Sequence, residues 1–106
     1  MATVTPTSHS AGIVNFASGS FISDNTATTV TLGFVPRWVK VVNTTDNIQW
    51  EKIEGMPAAN SVKTVGGTVA ITQDTGSAIL INTDGTITLS ATAVGTSKAI
   101  SWVAQG

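Results

Sequence analysis

The sequence predicts an all-β fold, a single antiparallel β-sandwich of jelly-roll type, on three observations. First, 18 Thr, 12 Val and 9 Ile outnumber by more than two to one the 15 residues of Leu, Met, Glu, Gln, Lys and Arg, and branching at Cβ favours the pleated strand over the helix. Second, turn signals recur at Asp24-Asn25, Thr45-Asp46-Asn47, Gly66-Gly67, Asp74-Thr75-Gly76, Asp84-Gly85 and Gly95-Thr96, close to the roughly 8–12-residue spacing of small sandwiches and barrels. Third, 106 residues suffice for one core that buries about two-thirds of the unfolded surface, and not for two ordinary domains.

Taken in order, residues 1–11 combine Thr, Ser, Ala and one Pro with little periodicity. They predict a flexible N-terminal arm that orders only against a neighbour, and His9 within it reads as a solvated tail histidine. The sandwich domain follows over 12–106. Strands are expected over 12–22, 28–34, 36–43, 48–54, 61–65, 68–73, 77–82, 86–91 and 98–104, each a run of β-branched or aromatic residues between the turns.

Two hairpins are legible in detail. Between Ser77 and Ala91, a three-residue loop from Thr83 to Gly85 sets Ile81 against Ile87 and Ile79 against Leu89 on one face. Leu80 then meets Thr88 and Asn82 meets Thr86 on the other, with Gly85 supplying the left-handed residue such a loop requires. The second hairpin, 34–56, holds most of the charge. A loop over 44–47 puts Arg37 opposite Glu54 and Lys40 opposite Glu51; a loop over 44–46 puts Trp38 opposite Lys52 and Lys40 opposite Trp50. The ion-paired register is preferred, although exposed pairs are worth only about 0–1 kcal/mol and act more on register than on stability.

Charged residues are only 10% of the chain and the net charge is −1, so hydroxyls supply the surface polarity and the basic footprint of a nucleic-acid binder is missing. With no Cys and one His, thiolate chemistry and a Cys- or His-built zinc site are not expected. Asp46, Asp74 and Asp84 sit in separate turns without the alternating oxygens of a calcium loop, so neither metal nor cofactor is implied. The start lacks a secretory signal pattern and no apolar run approaches the roughly 20 residues that span a bilayer; a soluble, unprocessed chain with no membrane partner is expected.

Enzyme-like patterns have simpler readings. Asp74-Thr75-Gly76-Ser77 matches the aspartic-protease signature, yet Thr72-Gln73 precede it where apolar strand residues are usual, and a plain Asp-Thr-Gly turn is favoured. Glu51 and Glu54, three apart, fall on opposite faces of a strand and do not make a glycosidase pair. Asn43-Thr44-Thr45 fits a glycosylation acceptor and is assigned to the turn. Trp38, Trp50 and Trp102 would suit sugar binding if clustered on one sheet, but core packing is favoured because the chain has six aromatics in all.

The run GFVPRWVKVVNTTDNIQWEKIEGM (33–56), followed by AANSVKTVGG (58–67) and Ser101-Trp102-Val103-Ala104, resembles a group of small tailed-bacteriophage virion proteins. In these a hydrophobic-Pro-Arg-x-Val-Lys-Val strand precedes Trp-Glu-Lys and Glu-Gly-Met. The resemblance covers about residues 28–104. It implies a non-enzymatic structural component, first a capsid cement or decoration protein bridging neighbouring capsid subunits, second a head or tail fibre module that binds host-surface glycan. The expected partners are the major capsid protein and further copies of the chain, and the expected location is the capsid surface of the virion after synthesis in the bacterial cytoplasm. Expected contact residues are Arg37, Trp38, Lys40, Trp50, Glu51 and Lys52, together with the arm. A surface with few charges suits this role, since docking it removes little hydration and meets little like-charge repulsion.

Overall fold

The computed structural model describes residues 15–68 and 70–106. The arm over 1–11 and His9 lie outside the described residues. Nine strands follow the predicted sequence of runs: β1 (Phe16–Asp24), β2 (Thr28–Thr31), β3 (Trp38–Asn43), β4 (Ile48–Ile53), β5 (Ser61–Val65), β6 (Ala70–Asp74), β7 (Ile79–Ile81), β8 (Thr86–Leu89) and β9 (Thr96–Gln105). One four-residue helix, α1 (Ala91–Val94), intervenes before β9. The strands form two antiparallel sheets, β1-β9-β3-β4-β5-β6 and β2-β8-β7.

The two-sheet β-sandwich is therefore as expected, but the strands divide six and three, not into the two four-stranded sheets of a jelly roll. The reason is topological. β3 to β6 run as a meander that stays in one sheet, and β9 returns to pair with β1 on one side and β3 on the other. Between the sheets, Val39, Val41, Trp50, Ile100 and Ala104 meet Ile79, Ile87 and Leu89, and Ala93 and Val94 of α1 complete the same core.

Both hairpins adopt the predicted registers. In β7–β8, Ile79 faces Leu89, Leu80 faces Thr88 and Ile81 faces Ile87, and Asn82 N–H donates to Thr86 O at 3.0 Å. Gly85 has φ of +84°, the left-handed value for which glycine pays no Cβ penalty, and its carbonyl accepts from Leu32 N and Gly33 N at 2.9 and 3.1 Å. In β3–β4, Lys40 faces Glu51 and Asn43 faces Ile48, leaving a 44–47 loop. That loop is tied down by Asn43, which accepts from Asp46 N at 2.9 Å and donates to Asp46 Oδ2 at 3.1 Å.

Helix α1 replaces the predicted end of the eighth strand at Ala91. Ser90 caps it, its Oγ accepting from Ala93 N at 3.1 Å, and Gly95 ends it with φ of +71°. Ser at the N-cap and Gly just past the last turn are visible in the sequence as helix punctuation.

Candidate docking face

Alternation along β3 and β4 sorts the hairpin's residues onto two sides. Val39, Val41 and Asn43 are buried while Trp38, Lys40 and Val42 are half-buried; on β4 the buried pair is Trp50 and Lys52. Since side chains opposite one another share a face, the registers define three rows across the outer side of the large sheet. The first is Phe16, Gln105, Trp38 and Ile53; the second is Ser18, Val103, Lys40, Glu51, Val62 and Gln73; the third is Ser20, Ser101, Val42, Gln49, Thr64 and Ile71. Ile22 extends the same side beside Ala99.

Six large hydrophobic residues are exposed among the described residues: Phe16 61%, Ile22 69%, Val35 50%, Ile53 52%, Val62 38% and Ile71 70%. Five of the six, all but Val35, lie on this one side. Within its rows the only charges are Lys40 and Glu51, directly opposed, and at its end Arg37 Nη1 pairs with Glu54 Oε2 at 3.0 Å. Glu51 Oε2 also accepts the Trp38 indole N–H at 2.9 Å. The face is broad, neutral and unusually apolar for an exposed sheet.

The six contact residues expected from sequence thus separate. Arg37, Trp38, Lys40 and Glu51 come together on or beside the outer face. Trp50 and Lys52, each 4% exposed, point into the sandwich, away from the outer face of the large sheet. Even residues of β4 face inward because Trp50 opposes Val41 and Lys52 opposes Val39, both core positions. The three Trp accordingly form no single cluster: Trp38 is outside, while Trp50 and Trp102 belong to the core side.

Lys52 is buried and held by backbone carbonyls. Its ammonium donates to Pro57 O, Ala58 O and Asn60 O at 2.9, 3.0 and 2.8 Å, which uses all three N–H donors on the 57–60 turn. Burial pulls its pKa below the ordinary 10.5. Trp50 donates its indole N–H to Asp74 Oδ2 at 3.0 Å, Lys63 Nζ lies 5.7 Å from its ring centroid, and Gly76 N donates to Asp74 Oδ1 at 2.7 Å. The Gly76 bond chiefly lowers the Asp74 pKa; burial opposes it, and Trp50 and Lys63 add to it. The Asp-Thr-Gly turn therefore works as a latch, with both carboxylate oxygens engaged, that ties edge strand β6 to β4.

Two concavities accompany these groups. One, about 470 Å³, lies between the 35–37 and 54–58 segments and β7, with Met56, Leu80 and Ile81 on its walls. The other, about 190 Å³, is lined by Trp50, Lys63, Asp74, Ser90 and Thr92 among others. Among the described residues no group of three or more His, Asp or Glu is placed to hold a metal ion, and no helix is long and apolar enough to cross a membrane. The chain matches no protein-family model, and no curated protein or solved structure is significantly similar to it.

Sequence reading leaves Phe16, Ile22, Ile53, Val62 and Ile71 unmarked. Phe16 and Ile22 share parity on one strand, a signal available in the sequence. Assigning Val62 and Ile71 to the same side requires the β4–β5 and β5–β6 registers.

Proposed function

We propose that this chain is a non-catalytic assembly protein that docks the outer face of its six-stranded sheet onto neighbouring protein subunits. The observation that carries the reading is the gathering of five exposed large hydrophobics on one charge-poor face, a patch of the kind that marks interaction surfaces. Burying it removes apolar area from water with little desolvation of charge, and the Lys40–Glu51 and Arg37–Glu54 pairs give the contact orientation more than affinity. The resemblance of residues 28–104 to small tailed-bacteriophage virion proteins supports a more specific reading: a cement or decoration protein on the capsid, each copy bridging major capsid subunits.

A standard interface of about 800 Å² per partner is within the reach of such a face. The test is quantitative mass spectrometry of purified phage particles, together with occupancy of face variants. A cement protein is present in hundreds of copies per particle, and Ile53→Asp with Val62→Asp lowers occupancy while the isolated domain stays folded. Absence from particles overturns the virion reading; full occupancy by the double variant overturns the face.

A further inference from the structure

We propose that two copies of this chain join edge to edge through β1, across a twofold axis, to make one continuous twelve-stranded sheet. Edge strands expose unpaired backbone groups, and soluble proteins blunt them with Lys or Pro. Here the four lysines lie on β3, β4, β5 and β9, all interior to the large sheet, and Arg37 and Pro36 precede β3. Among the described residues no strand pairs with the outer side of β1, the longer edge strand of that sheet, which reads FASGSFISD and contains no Lys, Arg or Pro. The opposite edge, β6, has five residues, and its end is held by the Asp74 latch.

The hydrogen-bond phase determines which residues a second strand would meet. Gly106 N donates to Asn15 O at 2.9 Å, so Asn15, Ala17, Gly19 and Phe21 are the residues bonded to β9, given the register of Phe16 on Gln105. The N–H and C=O groups of Phe16, Ser18, Ser20 and Ile22 then point to the open edge. An antiparallel copy centred on Gly19 pairs Phe16 with Ile22 and Ser18 with Ser20, twice each. This register is self-complementary: the two most exposed apolar side chains of the strand, at 61% and 69%, cover one another, and hydroxyl meets hydroxyl. Asp24, past the bulge between Ile22 and Asp24, falls outside the paired stretch, so no like charges oppose. The register shift there interrupts the regular bonding phase of the strand beyond Ile22. The isologous contact closes on itself and does not propagate.

Edge pairing sets the outer faces of the two copies side by side, with Phe16 and Ile22 shared between that face and the seam. Eight main-chain bonds with four apolar side chains make a small interface, so exchange is expected in the isolated protein. Since the chain has no Cys, engineered thiols trap the pair cleanly. Residues 16 and 22 of one chain are about 20 Å apart along a strand, whereas facing residues in bonded pairs are about 5.5 Å apart, within disulfide reach. The double variant Phe16→Cys with Ile22→Cys is expected to form a covalent dimer under mild oxidation, and Ile22→Cys alone is not. Adding Ser20→Pro, which removes an edge donor but no bond to β9, is expected to lower the yield about tenfold. A double variant that stays monomeric, equal yield from Ile22→Cys alone, or a yield unmoved by Ser20→Pro overturns the edge pairing. Cross-linking by Ser18→Cys with Ile22→Cys in its place overturns the register. None of these results bears on particle occupancy, so this inference and the docking-face proposal fail separately.

Discussion

The two sides of the β3–β4 hairpin carry nearly the same chemistry and use it differently. Each side has a tryptophan whose indole N–H reaches a carboxylate, Trp38 to Glu51 at 2.9 Å and Trp50 to Asp74 at 3.0 Å, and each has a lysine, Lys40 outside and Lys52 inside. Outside, these groups are half-exposed and water competes for every bond. Inside, Trp50 and Lys52 are 4% exposed, and each lost partner would leave a buried polar group unpaired. Burial, more than residue type, separates a residue that holds the fold from one that is available to a partner.

The sharpest way to break the contrast is to truncate both indoles. Trp50→Ala is expected to lose about 3–5 kcal/mol, as large core truncations do, while Trp38→Ala loses about 1 kcal/mol or less; urea midpoints of the two variants measure the gap. Equal losses would remove the distinction between the faces.

Next comes the lysine pair. Lys52→Met leaves the carbonyls of Pro57, Ala58 and Asn60 without their donor, and a loss of about 2–4 kcal/mol is expected. Lys40→Met should stay within about 0.5 kcal/mol of the parent. Lys52 also predicts the sign of an alkaline effect. Its folded pKa is lowered, so the unfolded chain binds the proton more tightly and stability rises as pH climbs from that lowered value towards 10.5. Lys52→Met abolishes this rise, and thermal unfolding across the alkaline range reads it.

A smaller effect belongs to Asp74. Its pKa is depressed below the ordinary 3.8, so its contribution is fully present above that value and is lost as pH falls through the folded pKa. Asp74→Asn is expected to cost about 1 kcal/mol at neutral pH, the difference from the parent shrinking in acid. Smallest is Arg37→Ala: the Arg37–Glu54 pair is nearly half exposed on both sides, and a change within about 0.5 kcal/mol is expected at moderate salt.

Much of this fold was legible because its information is local. The Thr83–Gly85 loop is specified by a glycine that tolerates positive φ and by Asp84, whose Oδ1 accepts from Thr86 N at 3.2 Å. Once that loop is set, the alternation of Ile79, Ile81, Ile87 and Leu89 leaves one register that turns all four towards the core. In β3–β4 the opposed charges select between two loops, and the ion-paired choice is the one observed. The outer face of the hairpin is only partly legible: the sequence places Arg37, Trp38, Lys40, Trp50, Glu51 and Lys52 in one stretch, and only the register shows that Trp50 and Lys52 turn to the core side. A lysine two residues from a tryptophan reads as surface unless one knows that three carbonyls converge on it from residues 57–60.

Sequence by itself determined the strand content, the turn positions and both hairpin registers, since side-chain branching, glycine dihedrals and alternation act between near neighbours. Tertiary structure alone decided that β9 bridges β1 and β3, that six strands share one sheet, and that Ile22, Ile53 and Ile71 lie on the same side. Those pairings are made by backbone N–H and C=O groups that every residue carries alike, so the side-chain code marks the edges of strands far more clearly than it marks their neighbours.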